Sequence, residues 1–352
     1  MNMTTVGKSN FGKYTDGREV TLYTLKNENG MEVSLCNIGA AIVKIMAPDA
    51  EGKLADMVLG FDDAAGYLAN PSFFGIVVGP SANRIGNASY TIDGVTYQAA
   101  VNDGVNNLHS DFAKGYHKLF WEAEEVEGGV KFTMTDEDGY LGFPGNKKMT
   151  ITYTLDEKNA LKLQYHATSD KKTILNPTNH TYFNLDGHDS GSIEAHEMWI
   201  KASNFTPADA GSIPTGEIAP VKGTPMDFTV SKVVGKEIGA DFTQLIYGKG
   251  YDHNWVIDDW KNDGTLQLMA EVKAAKSGRK MKVFTTLPGV QFYAGNCIAP
   301  QQGKGGANYG FRSGLCLETQ FFPDSVNKPQ FPACVFGGDT EYDSVTVYQF
   351  EA

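Results

Sequence analysis

Arginine is scarce: Arg18, Arg84, Arg279 and Arg312 are the only four in 352 residues. A site dedicated to phosphate usually draws on arginine clusters or on a glycine-rich loop that opens a helix. Neither pattern is present, which disfavours a phosphorylated substrate. Cysteine is almost as rare, with Cys36, Cys297, Cys316 and Cys334 and no CxxC spacing, so zinc and redox readings lack support. Reduced, mostly buried thiols are expected. Positive charge is in deficit: 30 Lys and Arg stand against 42 Asp and Glu, a net charge of −12. That balance argues against nucleic acid and anionic membrane surfaces as partners. No segment approaches the roughly 18 apolar residues of a membrane span. Met1 to Thr15 lacks the apolar core of a secretory signal, so a cytoplasmic protein is expected.

Helical signals are few. Asp62 to Ala69 and Val233 to Ile238 could each make a turn or two. There is no fixed-period repeat and no low-complexity linker. What is present is strand after strand. Val20 to Leu25 alternates, Met31 to Leu35 follows, and Asn29-Gly30 between them is a hairpin signal. Asp93-Gly94, Gly128-Gly129 and Glu157-Lys158-Asn159 divide further pairs of alternating runs. In Leu161 to Ala167 the apolar residues share one face, and Lys162, Gln164 and His166 share the other. Met281 to Thr286, Val290 to Ala294, Leu315 to Thr319 and Ser344 to Phe350 complete the series. Ser203 to Asp227, with four prolines, reads as an ordered surface loop. The fold class is all-β: one large antiparallel β-sandwich domain over residues 1–352 with a few short helices.

Each of the seven histidines has a bland reading. His117, His166 and His188 read as exposed, His196 as the start of a strand, and His253 is open. His109 and His180 stand among Asn, Thr and Tyr residues, whose hydrogen bonds can fix a tautomer. Both still read as structural on composition alone. Glu318 follows the apolar run Leu315-Cys316-Leu317. It is either desolvated with a raised pKa, and so a candidate general base, or paired in a buried salt bridge with Arg84 or Arg312.

Ordered along the chain are Gly79-Pro80-Ser81-Ala82-Asn83-Arg84-Ile85, Asn107-Leu108-His109 and Asn179-His180-Thr181-Tyr182-Phe183-Asn184-Leu185. Then come Ile213-Pro214-Thr215-Gly216-Glu217, Gly223-Thr224-Pro225-Met226-Asp227-Phe228, Tyr251-Asp252-His253, Leu287 to Tyr293 and Leu317-Glu318-Thr319-Gln320. These eight motifs, in this order, resemble the aldose 1-epimerase (galactose mutarotase) family. The resemblance implies the family's large antiparallel sandwich, the mutarotase-like supersandwich, with a sugar in an open cleft. It implies Glu318 as base on the anomeric hydroxyl and His180 as acid on the ring oxygen. It places Asn83, Arg84, His109, Asp252 and Gln291 against sugar hydroxyls. It implies no metal and no cofactor. The expected partner is a small aldose, and the expected state a monomer or homodimer. A resting pair of ionised Glu318 and protonated His180 is expected, with Tyr182 and Tyr293 either walling the sugar or packing the core.

The chain departs from the family pattern at Pro80-Ser81, Ser110-Asp111, Phe321 and Val326. The first two flank the cleft motifs and bear on sugar preference. Phe321 would remove a polar neighbour of Glu318. Rival readings are a glycoside hydrolase using Glu318 and Asp252, a sugar-binding module without catalysis, and a relative acting on sugar phosphates.

Overall fold

The computed structural model describes residues 4–352. Three large sheets dominate, and every strand ladder in them is antiparallel. The first has five strands running in chain order from Thr5–Lys13 to Leu54–Asp56. The second has nine strands, with Tyr342–Glu351 near its centre between Ala160–Ser169 and Lys280–Thr285. The third has five strands in the order Ala219–Pro220, Asn204–Thr206, Asp252–Val256, Gly289–Tyr293 and Cys316–Gln320.

Local turn chemistry sets the hairpins. Asp93 and Gly94 both adopt positive φ, at 50° and 80°, and join Ser89–Ile92 to Val95–Gln98. That is the mirror-image turn whose twist matches the flanking strands. Asn159, at φ 56°, closes the turn between Lys147–Leu155 and Ala160–Ser169. Along the latter strand Leu161, Leu163, Tyr165 and Ala167 are buried, and their neighbours at Lys162, Gln164 and His166 are not.

One continuous hydrophobic cluster holds the sheets together. It contains Leu25, Val33 and Ile45 of the first, Ile151, Leu163 and Val283 of the second, and Trp255, Phe292 and Leu317 of the third. Tyr23 meets Phe132 edge-on across the first two sheets, with ring centres 5.8 Å apart. Thr319 and Thr346 hydroxyls meet at 2.6 Å across the other two.

Two helix expectations resolve differently. Ala64–Ala69 is a helix, capped by the Asp63 carboxylate accepting from the Gly66 N–H. Val233 to Ile238 gives only a single tight turn at Val234–Lys236. The second helix lies at Thr243–Gly248, which has no side-chain cap and so no start signal in the sequence. The stretch from Ser203 to Asp227 is mostly loop, yet Asn204–Thr206 pairs with Asp252–Val256 and joins the third sheet. A three-residue strand is too short to show an alternation. Among the described residues, no helix is long and apolar enough to cross a membrane.

Candidate active site

The third sheet presents two chemically opposite faces. Asn254, Gln291 and Glu318 are directly opposite one another across three strands, and so are Asp252, Tyr293 and Cys316. Residues two apart share a face, so all six side chains project to one side. The alternate residues, His253, Trp255, Val290, Phe292, Leu317 and Thr319, are buried on the other. Asp252, Gln291, Tyr293 and Glu318 line a cavity of about 280 Å³ together with Phe73, Asn83, Arg84, His109, His180 and Tyr182. Every sequence-predicted site residue is in this lining.

His180 follows the short strand Thr178–Asn179, which pairs with Val77–Val78. Its backbone is held at both ends, its N–H donating to Ile76 and its carbonyl accepting from Gly75. The ring then reaches Glu318, with Nε2 3.6 Å from Oε1. Both groups are buried, at 5% and 2% exposed. Burial pushes the His180 imidazole down to about 4 and the Glu318 carboxyl well above its usual range, where Asp252 also raises it and Arg84 opposes. Both shifts favour the neutral forms in the free protein, against the expected resting ion pair, because burial penalises the charged form of each group. Oε2 of Glu318 is buried and has no hydrogen-bond partner. The salt-bridge reading of Glu318 also fails. Arg84 pairs with Asp103 at 2.8 Å, and Arg312 pairs with Glu194.

The opposite wall is a zip between two loops. The Asn83 N–H donates to Nδ1 of His109 at 3.1 Å, and the His109 N–H donates to the Asn83 carbonyl at 2.9 Å. The neighbouring Ser81 N–H donates to Ser110 Oγ at 3.0 Å, and that hydroxyl donates back to the Ser81 carbonyl at 2.8 Å. The two departures from the family pattern beside the cleft are therefore one paired feature. Because Nδ1 of His109 accepts, Nε2 carries the ring proton. Burial holds this imidazole well below its ordinary pKa, so it stays neutral.

The lining and the loop behind it store backbone strain. Phe73, Asn83, His109 and Ser110 all have positive φ, between 54° and 64°. Such conformations in non-glycine residues cost roughly 1–3 kcal/mol each and persist where surroundings enforce them. Phe73 is enforced by Asn70, whose side chain brackets Phe74 with one accepted and one donated bond. The Phe73 ring is within 5.9 Å of the His109, His117 and His180 ring centres. That contact buries His117, correcting its expected exposure. His188 is also half-buried, its Nδ1 2.7 Å from the Tyr309 hydroxyl, while His166 lies on the open face as expected. His196 is buried just ahead of Glu197–Ile200, and His253 points into the core. Phe321 packs against Phe336 and Tyr342, away from the cavity, so it does not bear on Glu318.

A family profile described as aldose 1-epimerase matches residues 21–349. The chain belongs to the aldose 1-epimerase family. Among its relatives, galactose mutarotase of Bos taurus is 40% identical over 350 residues, covering 99% of each chain. Aldose 1-epimerase of Escherichia coli K12 is 38% identical over 340 residues, covering 96% of this chain and 97% of its own. A solved aldose epimerase homologue from C. elegans superposes with a TM-score of 0.85 at 29% identity, covering 99% of both chains. The epimerase fold is thus shared nearly end to end.

Within this family member, His109, His180 and Glu318 bring ligand-type atoms within 4.8 Å of one another. One nitrogen of His109 already spends its lone pair on the Asn83 N–H and the other bears the proton. The trio therefore suits a hydroxyl group better than a cation. A larger concavity of about 620 Å³ lies on the nine-stranded sheet, and within its lining Lys280 pairs with Glu271 at 2.6 Å. Sequence reading missed Phe73, Asn254, Cys316 and Gln320. Cys316 and Gln320 are each two residues from the recognised glutamate, and strand alternation would have placed them on its face.

Proposed function

We propose that this isomerase interconverts the α and β anomers of free hexoses, with Glu318 as base and His180 as acid. The observation that carries it is the buried imidazole–carboxyl pair, 3.6 Å apart, with one buried carboxyl oxygen left unpartnered. Glu318 takes the proton of the C1 hydroxyl while His180 gives one to the ring oxygen. The C1–O bond of the ring breaks, the aldehyde forms, and rotation about C1–C2 exposes its other face. Reclosure returns both protons. Each transfer contributes on the order of 10²–10⁴-fold.

Passage of the pair's one proton from Glu318 to His180 gives the carboxylate and imidazolium that begin the reaction, and ring opening returns the pair to carboxylic acid and neutral imidazole, with no change in its total protons. Burial favours that neutral state, so the dry cavity supports the charge state that accompanies the open-chain aldehyde. Asp252 and Gln291 accept from and donate to sugar hydroxyls, and Asn83, Arg84 and the Nε2–H of His109 add donors. Tyr182 and Tyr293 wall the apolar side. No redox step occurs, and the protons balance within the pair, so the reaction as written uses no cofactor.

The cavity suits one monosaccharide ring, at the small end of ligand sites. This supports a free sugar over the longer substrates of a glycoside hydrolase. All the groups named come from one chain and one continuous core, so a single domain suffices, as a monomer or in a homodimer. Free thiols at all four cysteines support a cytoplasmic setting.

The test is the approach to anomeric equilibrium of freshly dissolved α-D-glucose and α-D-galactose, followed by polarimetry. Wild-type protein is expected to accelerate it strongly. Glu318→Gln, which keeps the side-chain shape, is expected to lose about 10²–10⁴-fold in kcat with its fold intact. Near-normal turnover in that variant would remove Glu318 as the base, and no acceleration by folded wild type would move the reading to a binding module.

A further inference from the structure

We infer that Gln320, which does not line the cavity, is a positioning residue that sets how the site grips a sugar hydroxyl; this rests on the epimerase reading above. Gln320 is fully buried, two residues beyond Glu318 on the same face of the strand. It is the hub of a chain of side-chain amides. Asn83 Nδ2 donates to Gln320 Oε1 at 3.4 Å. Gln320 Nε2 donates to Asn254 Oδ1 at 3.1 Å and to Gln291 Oε1 at 3.3 Å. Gln291 Nε2 donates to Asp252 Oδ1 at 2.8 Å.

The direction of this chain is fixed by its end. An ionised Asp252 only accepts, so Gln291 must turn its NH₂ toward it and its carbonyl oxygen toward Gln320. Gln320 must then turn its own NH₂ inward, leaving its oxygen for Asn83. Reversing any amide would set two acceptors or two donors face to face. Gln320 therefore joins both walls of the cleft, the Asn83 loop on one side and the Gln291–Asp252 pair on the other. The space is kept by Gly289, directly opposite Gln320. A Cβ there would lie 2.5 Å from Asn254 Oδ1.

Replacing Gln320 by glutamate makes the role readable through pH. A protonated acid has an O–H to donate to one of the two inward acceptors and an oxygen to accept from Asn83. A carboxylate cannot donate, so Gln291 is driven to turn its NH₂ toward position 320 and its oxygen toward Asp252. In purified Gln320→Glu, KM for galactose is expected to stay within about threefold of wild type at low pH and to rise tenfold or more as the new carboxyl ionises, kcat changing much less. Wild-type KM measured over the same pH range is the reference. A residue that merely fills space would give no such pH-linked rise.

Gln320→Met, of similar size and apolar, is the second variant and is expected to raise KM about tenfold at every pH. In a Gln291→Ala background the same change should raise KM by a clearly smaller factor than it does alone, because one of the two groups it orients is gone. Additive KM effects there, or KM unchanged in both single variants, would overturn the inference. If wild type accelerates mutarotation while these variants behave as wild type, only the positioning role fails. If folded wild type does not accelerate it, the epimerase reading fails first.

Discussion

The thiol sulfur of Cys316 lies 3.5 Å from Nδ1 of His180, the ring nitrogen opposite the one that faces Glu318. Burial pushes this thiol well above its ordinary pKa, so it remains S–H. When Nε2 gives up its proton the ring keeps the one on Nδ1, so the sulfur accepts from Nδ1–H both before and after the transfer. One partner thus serves both proton states that the acid must visit.

Cys316→Ala should leave Nδ1 of His180 unpartnered. A lost bond of about 1 kcal/mol corresponds to roughly a fivefold fall in kcat. Cys316→Ser, which still accepts, should stay within about threefold. Polarimetric kcat for both variants checks this, and equal rates in Ala and Ser would remove Cys316 from the acid's support.

Asp252→Asn should act on binding. The carboxylate accepts the Gln291 amide at 2.8 Å and faces the cavity. Losing a charged hydrogen bond costs about 1.5–3 kcal/mol, so KM should rise about 10- to 100-fold with a smaller change in kcat. An unchanged KM in steady-state assays would contradict the binding role.

Ser110→Ala should lower stability. The buried Ser81 N–H would lose its acceptor and the Ser81 carbonyl one donor. The expected loss is about 1–3 kcal/mol, read from urea unfolding midpoints. Because the same loop carries His109, KM should also rise, and sugar binding should restore part of the lost stability.

Acid should destabilise the free protein well before its carboxylates titrate in the unfolded chain. His109, His117, His180, His196 and His253 are all held by burial below their ordinary pKa of 6.5, His180, His196 and His253 at about 4 and His117 at about 3. Below pH 6.5 the unfolded chain binds protons that the folded one refuses, so this contribution is full above pH 6.5 and is lost as pH falls toward 4. Glu318, Asp252 and Asp136, raised by burial, act with the opposite sign but are fewer. The urea midpoint should be lower at pH 5 than at pH 7; an equal or higher midpoint would count against the buried-neutral assignment.

Much of this was legible in sequence because it is local. Asp93-Gly94 specifies a turn through its own backbone preferences, and Leu161 to Ala167 shows its buried face by alternation. Glu318, His180, Asp252 and Gln291 came from ordered motifs. What was not legible depends on neighbours distant in sequence. His117 is polar in a polar loop, and only the approach of Phe73 buries it. Phe73 gives no sign of its strained φ, because Asn70 imposes it. Asn204–Thr206 becomes a strand only when Asp252–Val256 lies beside it. Gln320 matters through Asn83, which is 237 positions away along the chain.

The two-faced third sheet has a consequence for how this molecule can vary. In Cys316–Gln320 the groups for chemistry and the groups for the core alternate one by one. A single-residue deletion upstream in that strand would swing Glu318 into the hydrophobic interior and turn Leu317 out toward the sugar. Activity and solubility would fail together, so no inactive but well-folded descendant is reached by that route. Lineages of this enzyme can change length at hairpin tips such as Asp93-Gly94, while the strands beneath the cleft accept exchange of residues and refuse any shift in count.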